Sequence, residues 1–106
     1  MTNFSDMLTK AKAMQDKMKE AQEKIKNIEV EGFGGGNLVK VILTGDYELK
    51  SIIISEEAKK EDQEIINDLI VAAYNNAKEN LKKKSAEELS KVTGGLNLPA
   101  DFKLPF

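Results

Sequence analysis

The chain has 106 residues, 41% of them hydrophobic and 32% charged, with 18 acidic against 16 basic residues for a net charge of −2. That length predicts a single domain, 1–106, able to bury only about two-thirds of its unfolded surface, so self-association would add burial the monomer lacks. Cys and His are both absent, which removes thiolate and imidazole chemistry, disulfides and the usual zinc and copper ligands. No metal, cofactor or small-molecule substrate is therefore expected. The start, Met1 to Asp6, has no basic stretch leading into an apolar core, and no apolar run approaches the roughly 18 residues of a membrane span. The expectation is a cytoplasmic protein with no membrane partner.

Taken in chain order, the first element is a helix over about 3–27. Its apolar residues fall at Phe4, Met7, Ala11, Met14, Met18, Ala21, Ile25 and Ile28, spaced alternately three and four apart. Such a 3.5-residue repeat gathers them on one seam suited to a partner helix. Asn3 is a candidate N-cap, and Asp6 sits in the first turn, where the helix dipole favours a carboxylate.

At Ile28-Glu29-Val30-Glu31-Gly32 the period changes to two, predicting a strand over about 28–32 and a turn out of it. Phe33-Gly34-Gly35-Gly36-Asn37 reads as a loop, followed by strands over about 38–44 and 47–55 with a Gly45-Asp46 turn between them. The three strands form an antiparallel meander. Ile52-Ile53-Ile54 makes both faces of the last strand apolar; helices can cover one, and the other asks for a second subunit.

Ile65, Ile66, Leu69, Ile70, Ala73, Tyr74, Ala77 and Leu81 continue at helical spacing, and Leu89 and Val92 extend them, giving a helix over about 62–93 that stops at Gly94-Gly95. Ser85-Ala86-Glu87-Glu88 fits a capping box, so a break or kink is expected there. The tail, 96–106, is extended and apolar at intervals, as a segment that docks on a surface would be. Helices of about 25 and 30 residues span roughly 37 and 45 Å, against a radius of gyration near 13 Å for a compact chain of this size. They should project beyond the sheet as an antiparallel pair.

All 16 basic residues are Lys, a compact point charge without the planar fork that reads guanine edges. Any contact with nucleic acid should therefore be to phosphate. On the first helix, Lys10, Lys17 and Lys24 each precede a seam position, and Lys12, Lys19 and Lys26 each follow one. These form two basic rows about 100° to either side of the seam. Lys82-Lys83-Lys84 adds a second cluster, near the first helix if the two helices pack antiparallel. The plainer explanation is a solvated coiled-coil flank with Glu20–Lys24 and Glu23–Lys26 pairs, and the residues alone leave both open.

Other candidates carry less. A phosphate loop needs glycines between a strand and a helix, followed by Lys and Ser or Thr; here Gly34 to Gly36 join strand to strand and lead into Asn37-Leu38-Val39. The carboxylate pairs Glu56-Glu57 and Glu87-Glu88 lie in strongly polar stretches with no His, Cys or convergent pocket signal beside them, so no catalytic residue is expected. Met7, Met14 and Met18 fit a packing seam.

Four ordered segments resemble the YbaB/EbfC family: Met14-Gln15-Asp16-Lys17-Met18; the Gly-rich stretch from Gly32 to Lys40; Asp68-Leu69-Ile70-Val71-Ala72-Ala73-Tyr74-Asn75-Asn76-Ala77; and Leu98-Pro99-Ala100-Asp101-Phe102-Lys103-Leu104-Pro105-Phe106. The resemblance implies an α+β fold of a long N-terminal helix, a three-stranded antiparallel sheet and a long C-terminal helix. It further implies a tweezer-like homodimer whose helices project and bind double-stranded DNA. Departures from the family pattern include Asn37, where Gly is usual before Leu-Val, and Glu79-Asn80, where some relatives carry an Arg pair.

The expectation is thus a non-enzymatic, nucleoid-associated bacterial protein with possible roles in nucleoid organisation and gene regulation. As a homodimer it would bind DNA largely without reading sequence, through Lys10, Lys12, Lys17, Lys19, Lys24, Lys26, Lys82, Lys83 and Lys84. The rival is a coiled-coil adaptor or chaperone-like module of the prefoldin kind, in which helix, hairpin and helix hold a protein partner.

Overall fold

The computed structural model describes residues 4–92, in the order α1 (Phe4–Lys26), β1 (Glu29–Gly34), β2 (Val39–Thr44), β3 (Leu49–Ile54), α2 (Glu56–Lys59) and α3 (Gln63–Val92). The expected α+β architecture is present: a helix, an antiparallel sheet in the order β1-β2-β3, and a long second helix. The candidate cap Asn3, the Gly94-Gly95 stop and the tail at 96–106 lie outside the described residues.

Alternation decides which side of the sheet is buried. Val30, Gly32 and Gly34 of β1 and Val39, Val41 and Leu43 of β2 face inward. They meet Ala73, Ala77 and Leu81 of α3 in one core that also holds Ala58. The glycine-rich segment does more than turn the chain. Phe33 and Gly34, expected in a loop, belong to β1, because the small residues let α3 settle onto the strand. A β-carbon at Gly32 would overlap the Ala73 carbonyl oxygen and the Ala77 amide nitrogen, and one at Gly34 would overlap the Leu69 carbonyl oxygen. The turn itself uses Gly35 and Gly36, whose φ values are 63° and 74°; Asn37 needs no positive φ.

The outward edge of β1 is closed by side chains of α3. The Phe33 N–H donates to Asn76 Oδ1 at 2.9 Å, and Asn80 Nδ2 donates to the Glu31 carbonyl at 2.9 Å. An edge strand otherwise presents these groups to other chains. Two asparagines four residues apart reach successive outward groups of the strand, since i and i+4 share a helix face.

Two further differences from expectation have local causes. A one-turn helix, α2, fills part of the connection to α3: Ser55 caps it by accepting from the Ala58 N–H at 3.1 Å, and Ala58 is its fully buried residue. The capping-box pattern at Ser85 goes unused, and α3 runs unbroken through it. Leu81 and Leu89, both buried, anchor the helix on either side, so a break would forfeit packing for a cap the interior N–H groups do not need.

α1 enters the sheet through a tight turn in which the Ile28 N–H donates to the Ile25 carbonyl at 3.1 Å. It packs against α3 and runs antiparallel to it, because β1 starts beside the Ala77–Leu81 stretch from which α3 leaves the sheet. The molecule is drawn out to 70 × 23 × 17 Å with a radius of gyration of 19.1 Å, well above the ~13 Å of a compact chain this long. The helices form an arm, as their lengths foretold.

Candidate nucleic-acid interface

Burial along the α1 seam is graded. Ala21 and Ile25 are buried, Met14, Met18 and Ile28 are partly so, and Met7 and Ala11 are exposed, with Phe4 at 74% exposure. The sheet end of α1 is thus fixed by packing while its first half stands free. On this solvent-bathed rod the lysine rows flank the seam.

All nine candidate lysines are exposed. Of these nine only Lys24 forms an ion pair with a described residue, Glu20 at 3.7 Å; the expected Glu23–Lys26 pair does not form. A helix flank that used lysine chiefly for internal pairing would show more such contacts. Here eight ammonium groups are uncommitted, five on α1 and three on α3, and along each helix every seventh residue rises about 10.5 Å.

The second cluster is less unified than its sequence suggests. Successive helical residues point about 100° apart. Leu81, Ser85, Glu88 and Leu89 mark the side of α3 that is covered, so Lys82 and Lys84 flank that side and Lys83 points away from it. The three lysines therefore cannot face one target together. Lys91, in the last turn of α3, was not singled out from the sequence; it also lies on the arm and pairs with Glu88 at 3.4 Å.

Charge is divided along the long axis. The arm, residues 4–26 and 81–92, carries ten lysines and six carboxylates, a net of +4, whereas the body, 27–80, carries five lysines and eleven carboxylates, a net of −6. Three of the five body lysines are engaged: Lys40 with Glu31 at 3.5 Å, Lys50 with Glu29 at 2.6 Å and Lys59 with Glu56 at 3.0 Å. An acidic protein can thus present a basic end, with eleven of its 18 carboxylate side chains in the body at the other pole.

Among the described residues no group of His, Cys, Asp or Glu is placed to hold a metal, and no helix is long and apolar enough to cross a membrane. The features that remain are a narrow helical arm, exposed lysines on it, and a small sheet at its base. They define an α+β protein whose basic end is a helix pair.

Known proteins agree with that class. The YbaB/EbfC DNA-binding family model matches residues 1–96, and a nucleoid-associated protein of Granulibacter bethesdensis is 45% identical over 107 residues, with both chains covered in full. Nucleoid-associated proteins of Rickettsia typhi and Rickettsia felis are 43% and 44% identical over the same span. The crystal structure of an uncharacterized Helicobacter pylori protein superposes with a TM-score of 0.71 at 20% identity, covering 89% of this chain and all of the other, and shares the fold. The chain belongs to the YbaB/EbfC DNA-binding family, whose members are DNA-binding proteins and not enzymes.

Proposed function

We propose that this protein is a nucleoid-associated homodimer that binds double-stranded DNA in the bacterial cytoplasm by its phosphates, largely independently of sequence. The observation that carries the reading is the uncommitted lysine set on α1, at the basic pole of an otherwise acidic molecule. Lys10, Lys17 and Lys24 form one row and Lys12, Lys19 and Lys26 the other. Lys82 and Lys84 add charge from α3, and Lys83 contributes to the field from the far side. Lysines neutralising phosphates release condensed counterions, and that release supplies affinity without distinguishing bases. The absence of Arg removes the most common reader of guanine edges.

Pairing of two chains is supported by apolar surface that the monomer leaves open. α3 lies over β1 and β2, so Leu49 and Ile52, which share the inward face of β3 with its neighbours in register, stay exposed. Val71 is 58% exposed on α3. It lies two residues before the buried Ala73, hence about 200° round the helix and turned from its own sheet. A second copy laid on this side would cover both, and would bring two basic arms to one duplex. Architectural and regulatory roles in the nucleoid follow from a binder that grips DNA without selecting a site.

The lysine rows are tested by changing Lys17, Lys19 and Lys24 together to Gln. The variant should keep its melting temperature and its dimer but bind duplex DNA more weakly, with the slope of log K against log salt reduced by about 0.9 for each phosphate contact removed. Unchanged affinity and slope would make these lysines a solvated flank and nothing more.

A further inference from the structure

Tyr47 is the sole non-glycine among the described residues with a positive φ, 65°. It closes the β2–β3 hairpin: its N–H donates to the Thr44 carbonyl at 2.9 Å, and the Thr44 N–H donates to the Glu48 carbonyl at 2.9 Å. The Thr44 hydroxyl accepts from the Asp46 and Glu48 N–H groups at 3.3 and 3.2 Å. In a short hairpin of this kind the left-handed residue is ordinarily Gly or Asn, because a β-carbon there crowds the following carbonyl. A tyrosine in that position works against the turn it sits in. Strain of this sort persists where the side chain serves something other than the fold.

The core does not account for the tyrosine. The residue is 44% exposed, it takes no part in the core, and its hydroxyl has no hydrogen-bond partner among the described residues. Its location is the informative part. The hairpin is stapled to the base of the arm: the Gly45 N–H donates to the Ile28 carbonyl at 2.9 Å, and Gly45 lies so close to the last turn of α1 that a β-carbon would overlap the Ile25 carbonyl oxygen and crowd the Lys26 α-carbon. Tyr47 therefore stands two residues beyond Gly45, on a loop fixed against the last turn of α1, the turn that carries Lys24 and Lys26.

We propose that Tyr47 is a further DNA-contacting residue, its phenol hydroxyl donating a hydrogen bond to a phosphate oxygen of the duplex held by the α1 lysines. Tyrosine is among the neutral side chains that make such contacts, and they fix the register of a protein on the duplex without reading bases. A neutral donor displaces no counterion, so its contribution differs in kind from that of the lysines: it adds affinity without steepening the dependence on salt. The proposal rests on the DNA-binding reading above and can fail separately from it.

The test compares the full chain with Tyr47→Phe and Tyr47→Gly, titrating a mixed-sequence duplex across a salt series. Both variants should fold and remain dimeric, and Tyr47→Gly should melt no lower than the parent because glycine suits the positive φ. Each should bind about fivefold more weakly, the loss expected for one neutral hydrogen bond, with the salt slope unchanged. Parent-like affinity in both variants would overturn the proposal and leave Tyr47 a turn residue. So would a large fall in the melting temperature of Tyr47→Gly, which would show that the ring packs after all, or loss of the dimer, which would place Tyr47 between subunits. A parent chain that binds no duplex at low salt would instead remove the DNA-binding reading itself.

Discussion

At the residue scale, the glycines and asparagines where sheet meets helix show how much depends on atoms that are missing or polar. Gly32 has no room for a methyl group, because the backbone of α3 occupies the space. Gly32→Ala should therefore force helix and strand apart and cost about 3 kcal/mol, the upper range for overpacking, measured by urea unfolding at fixed protein concentration. Asn76→Ala tests a different term. It leaves the Phe33 N–H on the open edge of β1 without its 2.9 Å acceptor, and should cost about 1 kcal/mol while leaving the sheet intact. Neither role was legible beforehand. Gly32 read as the end of a strand and Gly34 as part of a loop, because three glycines stand in a row from Gly34 to Gly36, and the asparagines read as ordinary polar positions, since a strand edge 43 residues away in sequence cannot be seen from the helix.

At the scale of elements, periodicity served well wherever one face is buried and the other is not. The alternating three and four spacing of α1 and the inward alternation of β1 and β2 correspond to helix and strands within a few residues of expectation. It served less well where local chemistry and tertiary packing disagree. Ser85 to Glu88 has the pattern of a helix start, yet the packing of Leu81 and Leu89 carries α3 through it. Ala86→Pro separates the two readings. A proline at the first position after a cap is tolerated, whereas inside a continuous helix it loses a hydrogen bond and clashes with the preceding turn, at about 3 kcal/mol. The unbroken helix predicts the large loss, seen as a fall of many degrees in the circular-dichroism melting curve. The lysine rows were legible because helical geometry converts spacing directly into faces. The spreading of Lys82 to Lys84 around α3 needed the buried positions of that helix to be known, and Tyr47 had no periodic pattern to reveal it.

At the scale of the whole molecule, the net charge of −2 hides a body at −6 and an arm at +4. The separation should orient an approaching protein arm first, since the acidic body is repelled by the polyanion that attracts the arm. The same elongation leaves Leu49, Ile52 and Val71 without cover in a single chain. Val71→Lys should accordingly shift the sedimentation mass towards the monomer while leaving the arm lysines in place, and weaken DNA binding through the loss of the second arm. The most direct measurement of the central claim is a titration of the unaltered protein with duplexes of equal length and unrelated sequence over a range of salt concentrations. Phosphate recognition by the lysine arm predicts similar affinities for every duplex, all falling steeply as salt rises with a slope of about 0.9 per neutralised phosphate. Affinity confined to one sequence, or binding indifferent to salt, would contradict it.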